Sequence, residues 1–281
     1  MSQSFEFTKM HGAGNDYIYV NCFKEHLTDI NSVAKKVSDR HFGIGSDGLV
    51  LICPSDKADF RMDMYNSDGS QAEMCGNATR CVGKYVYDRG LTDKTQITLE
   101  TLAGIKILDL NVKDGRVETV RVNMGSPELV PKNIPIDSDK DRFISEPVEV
   151  LGKTYKVTGV SMGNPHAVTF IDDTDSLEIE KLGPHFENHK LFPKRINTEF
   201  AQIVDRHTIK MRVWERGAGE TLACGTGACA TLVAAYLNGL TDNEADLVLL
   251  GGMLHIKYDE AENAVYMTGP ATFVFDGTIT I

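Results

Sequence analysis

Several features that mark membrane, secreted or nucleic-acid-binding proteins are missing from this sequence. No apolar run approaches the roughly 18 residues of a membrane-spanning helix, and the opening residues MSQSFEFTKM lack the apolar core of a signal peptide. Positive charge is scarce: 29 lysines and arginines against 40 aspartates and glutamates give a formal net charge of −11. A nucleic-acid-binding protein would normally present a basic face. We therefore expect a cytoplasmic protein whose partners include neither nucleic acid nor a membrane.

The cysteines show neither a zinc pattern nor a disulfide pattern. None of the six belongs to a CxxC pair, and a long chain without a secretion signal is not expected to use a disulfide framework. The histidines have no ligand spacing either, so no metal site is expected, and His11 beside GAGND is assigned a structural role. The cysteines expected to fill core positions are Cys22, Cys53, Cys81 and Cys229.

At 281 residues the chain is long enough for two ordinary domains, and an internal repeat indicates a duplication. The cysteine-glycine pairs of EMCGN and LACGT lie 149 residues apart, as do two GN pairs and two GLT triplets. Several coincidences at one offset favour a duplicated domain over convergence of unrelated segments. The boundary is expected near 118–135, where proline and polar residues are frequent. We assign one repeat to 1–122 plus 271–281 and the other to 123–270.

The hydrophobic pattern repeats together with the letters. FRMDMYN and IKMRVWE each place every second residue on an apolar face, which predicts two half-buried strands. Each leads through a glycine-containing turn to a cysteine-glycine pair, after which apolar residues recur at helical spacing. These helices should end at Gly90 and Gly239. The second one, ACATLVAAYL, is apolar almost all round and should be buried. One further helix is predicted at NSVAKKVSDRHF.

These elements predict an α+β fold of two pseudo-symmetric duplicated domains. Each domain is expected to be a mainly antiparallel, β-barrel-like sheet wrapped around a central α-helix, with the active site in the interdomain cleft. GIGSDG at 43–48 fits a dinucleotide-binding pattern, but a helix-like segment precedes it and a strand follows, the reverse of what that motif needs. A nucleotide site is therefore not expected there.

Cys75 and Cys224 lie at the starts of the two equivalent helices. Unpaired N–H groups and the helix dipole favour a thiolate at such a position and should lower the thiol pKa. Two thiols on opposite sides of one carbon could invert a stereocentre without a cofactor, since one removes a proton while the other delivers one. The growing charge on the substrate carboxylate could be bound by the backbone N–H groups of Gly76, Asn77, Gly225 and Thr226.

The segments HGAGNDYIYV, NSDGSQAEMCGNATRC, GNPHAV and ERGAGETLACGTGACA resemble the motifs of the diaminopimelate epimerase family, racemases that work without pyridoxal phosphate. The resemblance covers essentially the whole chain. It implies reversible conversion of LL-2,6-diaminopimelate to the meso form for lysine and cell-wall synthesis, with no cofactor, in a homodimer whose domains close over the substrate. Cys75 and Cys224 would be the acid and base, and His166 and Glu215 would tune them. The implied substrate contacts are Asn15, Asn66, Asn164, Asn197, Glu215 and Arg216, with the amides of Gly76, Asn77, Gly225 and Thr226.

The resemblance also assigns a role to the charged pair that precedes the second glycine-rich turn. Arg216 could bind the distal carboxylate of the substrate bidentately, and Glu215 could receive the distal ammonium. Two departures from the family are visible: Gly48 stands where many members carry glutamine, and Ala78 and Thr79 replace a commoner glycine-led form after CGN. Neither change removes a group that the mechanism requires.

Two alternatives stay open at this point. A related cofactor-independent racemase acting on proline, hydroxyproline or another amino acid would share the paired cysteines but have little use for Glu215 and Arg216. A non-catalytic binding or redox-sensing protein could use the two cysteines as a disulfide instead. Racemisation assays and solvent deuterium incorporation separate these possibilities.

Overall fold

A computed structural model describes residues 3–281, and these residues form four α-helices and eighteen β-strands. The chain divides into two compact units. The first comprises the residues up to Val122 together with Thr268–Ile281, and the second comprises Asn123–Met267. Each unit therefore has its own set of contacts and can be described by itself.

In chain order, the elements that begin in the first unit are β1 (Ser4–Gly12), β2 (Asn15–Asn21), α1 (Ile30–Ser38), β3 (Gly48–Cys53), β4 (Phe60–Asn66), β5 (Gln71–Ala72), α2 (Gly76–Asp88), β6 (Gln96–Thr101), β7 (Gly104–Lys113) and β8 (Arg116–Gly125). The second unit continues with β9 (Glu146–Val150), β10 (Lys153–Ser161), β11 (Pro165–Phe170), α3 (Ile179–Glu187), β12 (Asn197–Asp205), β13 (Thr208–Glu215), β14 (Gly219–Thr221), α4 (Gly225–Leu237), β15 (Glu244–Leu249), β16 (Gly252–Asp259) and β17 (Ala264–Pro270). The last strand, β18 (Thr272–Thr280), belongs to the first unit.

The strands of the first unit pair mainly antiparallel. β1 pairs antiparallel with β2 and β18, β4 with β3 and β5, and β7 with β6 and β8. The two exceptions are β2 with β3 and β4 with β6, which are parallel because a helix lies between each pair in the chain. No closed barrel is detected among residues 3–281, so the expected barrel-like sheet is an open one.

The second unit repeats this topology. β11 with β12 and β13 with β15 are parallel, and the pairings of β10 with β9 and β11, of β13 with β12 and β14, and of β15 with β16 are antiparallel. Both ends of α3 lie 149 residues after those of α1, and both ends of α4 lie 149 residues after those of α2. The predicted α+β fold of duplicated, mainly antiparallel sheets with a central helix is confirmed.

In the first unit the sheet carries a helix on each face, and β2 shows why its side chains alternate. Ile18 and Val20 pack with Val33 of α1 in one apolar cluster. On the opposite face the buried Tyr19 donates from its hydroxyl to the carbonyl oxygen of Ala78 in α2 at 3.5 Å. The strand is therefore apolar on both faces, so its sequence does not show the usual alternation of apolar and polar residues.

In the second unit, α4 is as buried as its composition predicts. It contacts β10, β11, β12, β15 and β16, and most of its residues are buried from solvent. The other helix, α3, lies so close to β13 that a Cβ on Gly183 would be 2.3 Å from the ring of Trp214. Gly90 and Gly239, just beyond α2 and α4, have φ angles of 71° and 70°, the left-handed conformation typical of helix-ending glycines.

Three predictions about local structure need correction. The helix predicted at NSVAKKVSDRHF ends at Ser38, because Oδ1 of Asp39 accepts the N–H groups of His41 and Phe42, both at 2.8 Å, and forms a turn. The helix α3 was not predicted at all, since Pro184 lies inside it. Cys22 is only half-buried, whereas the other three cysteines assigned to core positions are buried.

Candidate active site

The first candidate cysteine lies at the start of α2. Cys75 is the N-cap of this helix and has an extended backbone. Its thiol donates to Oδ1 of Asn15 at 3.3 Å, and Nδ2 of Asn77 donates to the same oxygen at 3.4 Å. Asn15 in turn donates from Nδ2 to Oδ2 of Asp47 at 2.7 Å. Three of the predicted site residues therefore form one hydrogen-bonded group, which the carboxylate of Asp47 holds in place.

A buried arginine fixes the first turn of α2. Arg80 is 0% exposed and donates from Nη2 to Oδ1 of Asn77 at 2.7 Å and from Nη1 to the carbonyl oxygen of Gly76 at 3.3 Å. Gly12 packs directly against this turn, since a Cβ there would lie 2.9 Å from the carbonyl oxygen of Asn77. Gly12, the first glycine of HGAGND, is therefore required because β1 closely approaches the start of α2.

Asn66 is the last residue of β4 and lies opposite Gly48 on the neighbouring strand β3. Asn66 pairs with Gly48 of β3 and donates from Nδ2 to Oγ of Ser70 at 3.0 Å. A Cβ on Gly48 would lie 2.1 Å from the carbonyl oxygen of Tyr65 and 2.9 Å from the ring of Tyr17. This chain therefore has no room for a side chain at position 48 unless the backbone moves.

The second candidate cysteine occupies the equivalent place in the second unit. Cys224 is the N-cap of α4, is 6% exposed, and accepts the N–H of Gly227 at 3.4 Å, with Oγ1 of Thr226 also 3.4 Å from its sulfur. Burial, followed by the negative charges of Glu215 and Glu199, raises the pKa of the Cys224 thiol well above its ordinary value. The prediction of a lowered pKa is wrong for Cys224, because these effects outweigh the two hydrogen bonds at the helix start.

A buried histidine–glutamate pair lies beside Cys224. His166 and Glu199 are both 0% exposed, and Nδ1 of His166 is 2.7 Å from Oε1 of Glu199. The other ring nitrogen, Nε2, is 3.0 Å from Oδ1 of Asn164. Because both neighbours present oxygen acceptors, a proton must lie between the ring and the carboxylate. A Cβ on Gly227 would be 2.6 Å from Oε1 of Glu199, so this pair presses against the first turn of α4.

Glu199 was not predicted as a site residue, although its surroundings in the structure are unusual. Its second oxygen, Oε2, is buried without a hydrogen-bond partner among the described residues. A buried carboxylate is costly unless it is paired or protonated. In the sequence of β12, Glu199 is visible only as one charged residue among residues that are otherwise buried on both faces of the strand.

Tyr17 is a second residue that the sequence prediction missed. It is 5% exposed, and the side chains of Asn15 and Cys75 lie close enough to influence the pKa of its hydroxyl. Burial, followed by the charges of Cys75 and Asp47, raises the pKa of Tyr17, so its hydroxyl stays protonated. A signal for this residue existed: His166 lies 149 residues after Tyr17, so both occupy the same position in their repeats.

The remaining predicted residues gather at the end of β13. Asn197 is 4% exposed, donates from Nδ2 to the carbonyl oxygen of Pro165 at 2.9 Å, and accepts the backbone N–H of Arg216 at 2.8 Å. The exposed Arg216 side chain donates from Nη1 to the carbonyl oxygen of Lys194 at 3.1 Å. Oε1 of Glu215 accepts the hydroxyl of Thr221 at 2.5 Å. Asn197 thus positions the backbone of the charged pair.

Among residues 3–281, no group of three or more histidine, cysteine, aspartate or glutamate side chains is arranged to hold a metal ion. In the same range, no helix is long and apolar enough to cross a membrane.

The sequence matches one protein family over most of its length. The family model for diaminopimelate epimerase matches residues 7–130 and 158–274. A diaminopimelate epimerase from Acetivibrio thermocellus is 65% identical over 98% of this chain and 98% of its own length. One from Methanococcus maripaludis is 57% identical over 98% of this chain and all of its own length.

Solved structures share the fold at much lower identity. A phenazine biosynthesis protein of the PhzF family from Bacillus anthracis superposes with a TM-score of 0.72 at 16% identity, covering 99% of this chain and 100% of its own. A probable proline racemase from Agrobacterium radiobacter, with bound carbonate, superposes with a TM-score of 0.73 at 14% identity, covering 98% and 92%. At these identities the likeness concerns the duplicated fold alone.

Proposed function

Since this chain belongs to the diaminopimelate epimerase family, and is therefore an isomerase, we propose that it interconverts LL- and meso-2,6-diaminopimelate with Cys75 and Cys224 as the two acid–base groups and without a cofactor. The observation that carries the mechanism is that each cysteine is the N-cap of the equivalent helix in its own unit. Two thiols in equivalent places suit a reaction that treats the two faces of one carbon alike. The relatives' name implies a place in lysine and peptidoglycan precursor synthesis.

The reaction moves one proton off the substrate and one proton on. The thiolate of one cysteine removes the α-proton, and the electron pair moves into the adjoining carboxylate. The thiol of the other cysteine then gives its proton to the opposite face of the same carbon. The two cysteines have exchanged protonation states at the end, so the enzyme is ready for the reverse direction. N–H groups in the first turn of an α-helix have no intrahelical acceptor, so those of Gly76, Asn77, Gly225 and Thr226 can receive the growing carboxylate charge.

The surroundings of the two cysteines suggest unequal resting states. Cys224 is buried between two carboxylates that raise its pKa, which favours the neutral thiol and hence the role of acid. Cys75 would then be the base in that direction. The protonated hydroxyl of Tyr17 lies on the Cys75 side, whereas the His166–Glu199 pair lies on the Cys224 side. These groups would tune the two thiols without touching the substrate.

The substrate's second amino-acid centre would be recognised by charge. Arg216 has an exposed guanidinium that can form two parallel hydrogen bonds with the distal carboxylate. Glu215 supplies the opposite charge for the distal ammonium and also tunes Cys224. Asn15, Asn66, Asn164 and Asn197 complete the proposed contacts as neutral hydrogen-bonding groups.

The proposal includes the organisation of the whole protein. The repeats 1–122 plus 271–281 and 123–270 would act as two domains that close over the substrate. A homodimer in the cytoplasm is the expected form. Sedimentation of the purified protein tests the dimer, since it should give twice the mass of one chain at micromolar concentration.

The deciding experiment follows the α-proton. Purified protein, in reducing buffer made with D₂O and with no added cofactor, should convert LL-diaminopimelate to the meso form with one deuterium at the inverted carbon. Proline and hydroxyproline serve as comparison substrates and should remain unlabelled. Turnover of proline alone would favour a proline-type racemase, and absence of any exchange would contradict a catalytic role.

Variants of the two cysteines test the two-base scheme. Cys75→Ala or Cys224→Ala should each lower kcat for epimerisation by at least about 100-fold, because a positioned acid or base typically contributes that much. Cys229→Ala, a buried cysteine later in α4, is the matched control and should keep its turnover. Near-normal kcat in either active-site variant would refute the scheme.

A further inference from the structure

Two cysteines outside the proposed site lie next to each other on adjacent strands. β2 and β3 pair in parallel with Val20 opposite Leu51 and Asn21 opposite Ile52. The pairing continues one step further, because the N–H of Cys22 donates to the carbonyl oxygen of Ile52 at 2.9 Å. This register brings Cys22 beside Cys53.

The spacing of neighbouring strands suits a bond between these two sulfurs. Adjacent strands lie about 4.8 Å apart, and disulfides join Cα atoms separated by about 4.4 to 6.8 Å. In a parallel pair, neighbouring residues in register point to the same face of the sheet. Cys22 and Cys53 both contact the apolar cluster beneath α1. Each thiol influences the pKa of the other, as expected of neighbouring groups.

The two thiols differ in reactivity and access. The neighbouring Cys53 thiol lowers the pKa of Cys22 against the opposing effect of burial, and the Cys22 sulfur, together with burial, raises the pKa of Cys53. Cys22 is half-buried, whereas Cys53 is 5% exposed and lies 3.7 Å from Oδ2 of Asp63. One sulfur is thus accessible and nucleophilic, and the other is held behind it as a thiol. Pairs of this kind are typical of thiol–disulfide exchange.

We propose that Cys22 and Cys53 form a redox-active dithiol that closes to a reversible disulfide on exchange with a low-molecular-weight disulfide such as oxidised glutathione. The inference does not depend on the proposed epimerase function, because neither cysteine belongs to that site. The bond would join β2 and β3 near the ends of both strands.

The exchange balances in two steps. The Cys22 thiolate attacks one sulfur of oxidised glutathione, which forms a mixed disulfide and releases one glutathione thiolate. Cys53 gives its proton to solvent and attacks the Cys22 sulfur, which forms the Cys22–Cys53 bond and releases the second glutathione. The protein loses two electrons and two protons, and one oxidised glutathione becomes two reduced ones.

Peptide mapping of the native, full-length protein tests this directly. After incubation with oxidised glutathione, alkylation of the remaining thiols and digestion with trypsin, the peptides 10–24 and 41–57 each carry one cysteine. They should be joined, with a mass two hydrogens below their sum, and separate again on treatment with dithiothreitol. Cys75 lies in peptide 62–80, and Cys224 lies with Cys229 in peptide 217–257, so oxidation of the proposed catalytic pair cannot be mistaken for this bond.

Variants identify the order of attack. In Cys53→Ser the mixed disulfide at Cys22 has no resolving thiol and should last at least about ten times longer than in the unaltered protein. In Cys22→Ser the buried Cys53 should take up little glutathione. Protein unfolded in urea is the control for geometry, because there the link between the two peptides should fall to the level of other cysteine pairs.

Two results would overturn the proposal. One is a persistent glutathione adduct on Cys22 with no joined peptide in the unaltered, folded protein. The other is a joined peptide no more abundant in the folded protein than in the urea-unfolded one. If Cys53→Ser does not fold, the map of the unaltered protein still decides the question.

Discussion

The ionisable side chains around the two N-cap cysteines differ, although their backbone positions match. A buried carboxylate and an imidazole lie on the Cys224 side, and a protonated phenol lies on the Cys75 side. The two cysteines, the glycines after them, and Asn15 and Asn164 are the same in both repeats, whereas Tyr17 in one repeat corresponds to His166 in the other. Chemical differences between the two thiols therefore arise from single residues, and single substitutions should reveal them.

The variant Glu199→Gln tests the carboxylate beside Cys224. Removing its negative charge should lower the pKa of Cys224 towards the ordinary thiol value, although burial still holds it up. The rate at which iodoacetamide alkylates Cys224 is followed between pH 7 and 10 by fragmentation of peptide 217–257, which distinguishes Cys224 from the buried Cys229 in the same peptide. This rate should rise at lower pH in Glu199→Gln than in the unaltered protein. Glu178→Gln, on an exposed side chain of the same unit, should leave the profile unchanged. An unshifted profile in Glu199→Gln would remove Glu199 from the tuning of this thiol.

The variant Tyr17→Phe tests the phenol beside Cys75. The ring remains and only the hydroxyl is lost. If this hydroxyl donates to the Cys75 thiolate during the reaction, kcat should fall by about 10- to 100-fold, the range expected for a hydrogen bond to a charged group, while KM changes little. The control Tyr258→Phe loses a hydroxyl bonded to Asn263 in the other unit and should keep its kcat. A Tyr17→Phe enzyme with unaltered kcat and pH profile would make the hydroxyl purely structural.

At the scale of secondary structure, success of sequence prediction depended on whether a local signal or a long-range contact decides the element. α2 and α4 were predictable because apolar residues recur at helical spacing and glycines end both helices. The helix α3 was not predicted, because Pro184 interrupts its helical pattern. Its position 149 residues after α1 would have indicated it. Glu199 and Tyr17 were not predicted as site residues for another reason. Their importance comes from neighbours brought in by other strands, which no spacing within one strand records.

The start of α4 is packed too closely to accept a larger residue. Gly227→Ala would place a Cβ 2.6 Å from Oε1 of Glu199 and 3.2 Å from Cβ of Cys224. We expect a loss of about 1 to 3 kcal/mol in the free energy of unfolding, the usual cost of overpacking, measured by urea denaturation. The matched change Gly83→Ala, inside α2, meets only the tips of leucine and valine side chains at 3.0 Å or more and gains helix propensity, so it should cost less. Equal effects of the two substitutions would argue against close packing at the start of α4.

At the scale of the whole molecule, burial raises the pKa of several thiols and phenols and so keeps them protonated to higher pH. Burial is the largest cause of the raised pKa of two thiols and two phenols, which are Cys81, Cys224, Tyr17 and Tyr19. In the unfolded chain these groups would ionise at their ordinary values, near 9.0 for the thiols and 10.0 for the phenols. Above those values the unfolded state therefore binds fewer protons than the folded state.

This difference predicts alkaline destabilisation. The free energy of unfolding should be constant in this respect below about pH 8 and fall progressively as the pH rises above 9, because stability falls with pH wherever the unfolded state holds fewer protons. Urea denaturation between pH 7 and 10.5 measures the slope. Tyr17→Phe removes one of the groups and should make the fall shallower above pH 10. Stability that stayed level or rose in this range would contradict the assigned directions.

The unequal surroundings of the two N-cap cysteines have a kinetic consequence. The ratio of LL to meso compound at equilibrium belongs to the substrate and owes nothing to the protein. In the proposed mechanism the two transfers of hydrogen would be made by unlike partners, one thiol near two carboxylates and the other near a phenol. For unlabelled isomers placed in D₂O, the primary isotope effects on removal of the α-hydrogen should therefore differ between the two directions. A mixture started from one isomer, whose deuterated product returns slowly, should then overshoot its final composition more than a mixture started from the other.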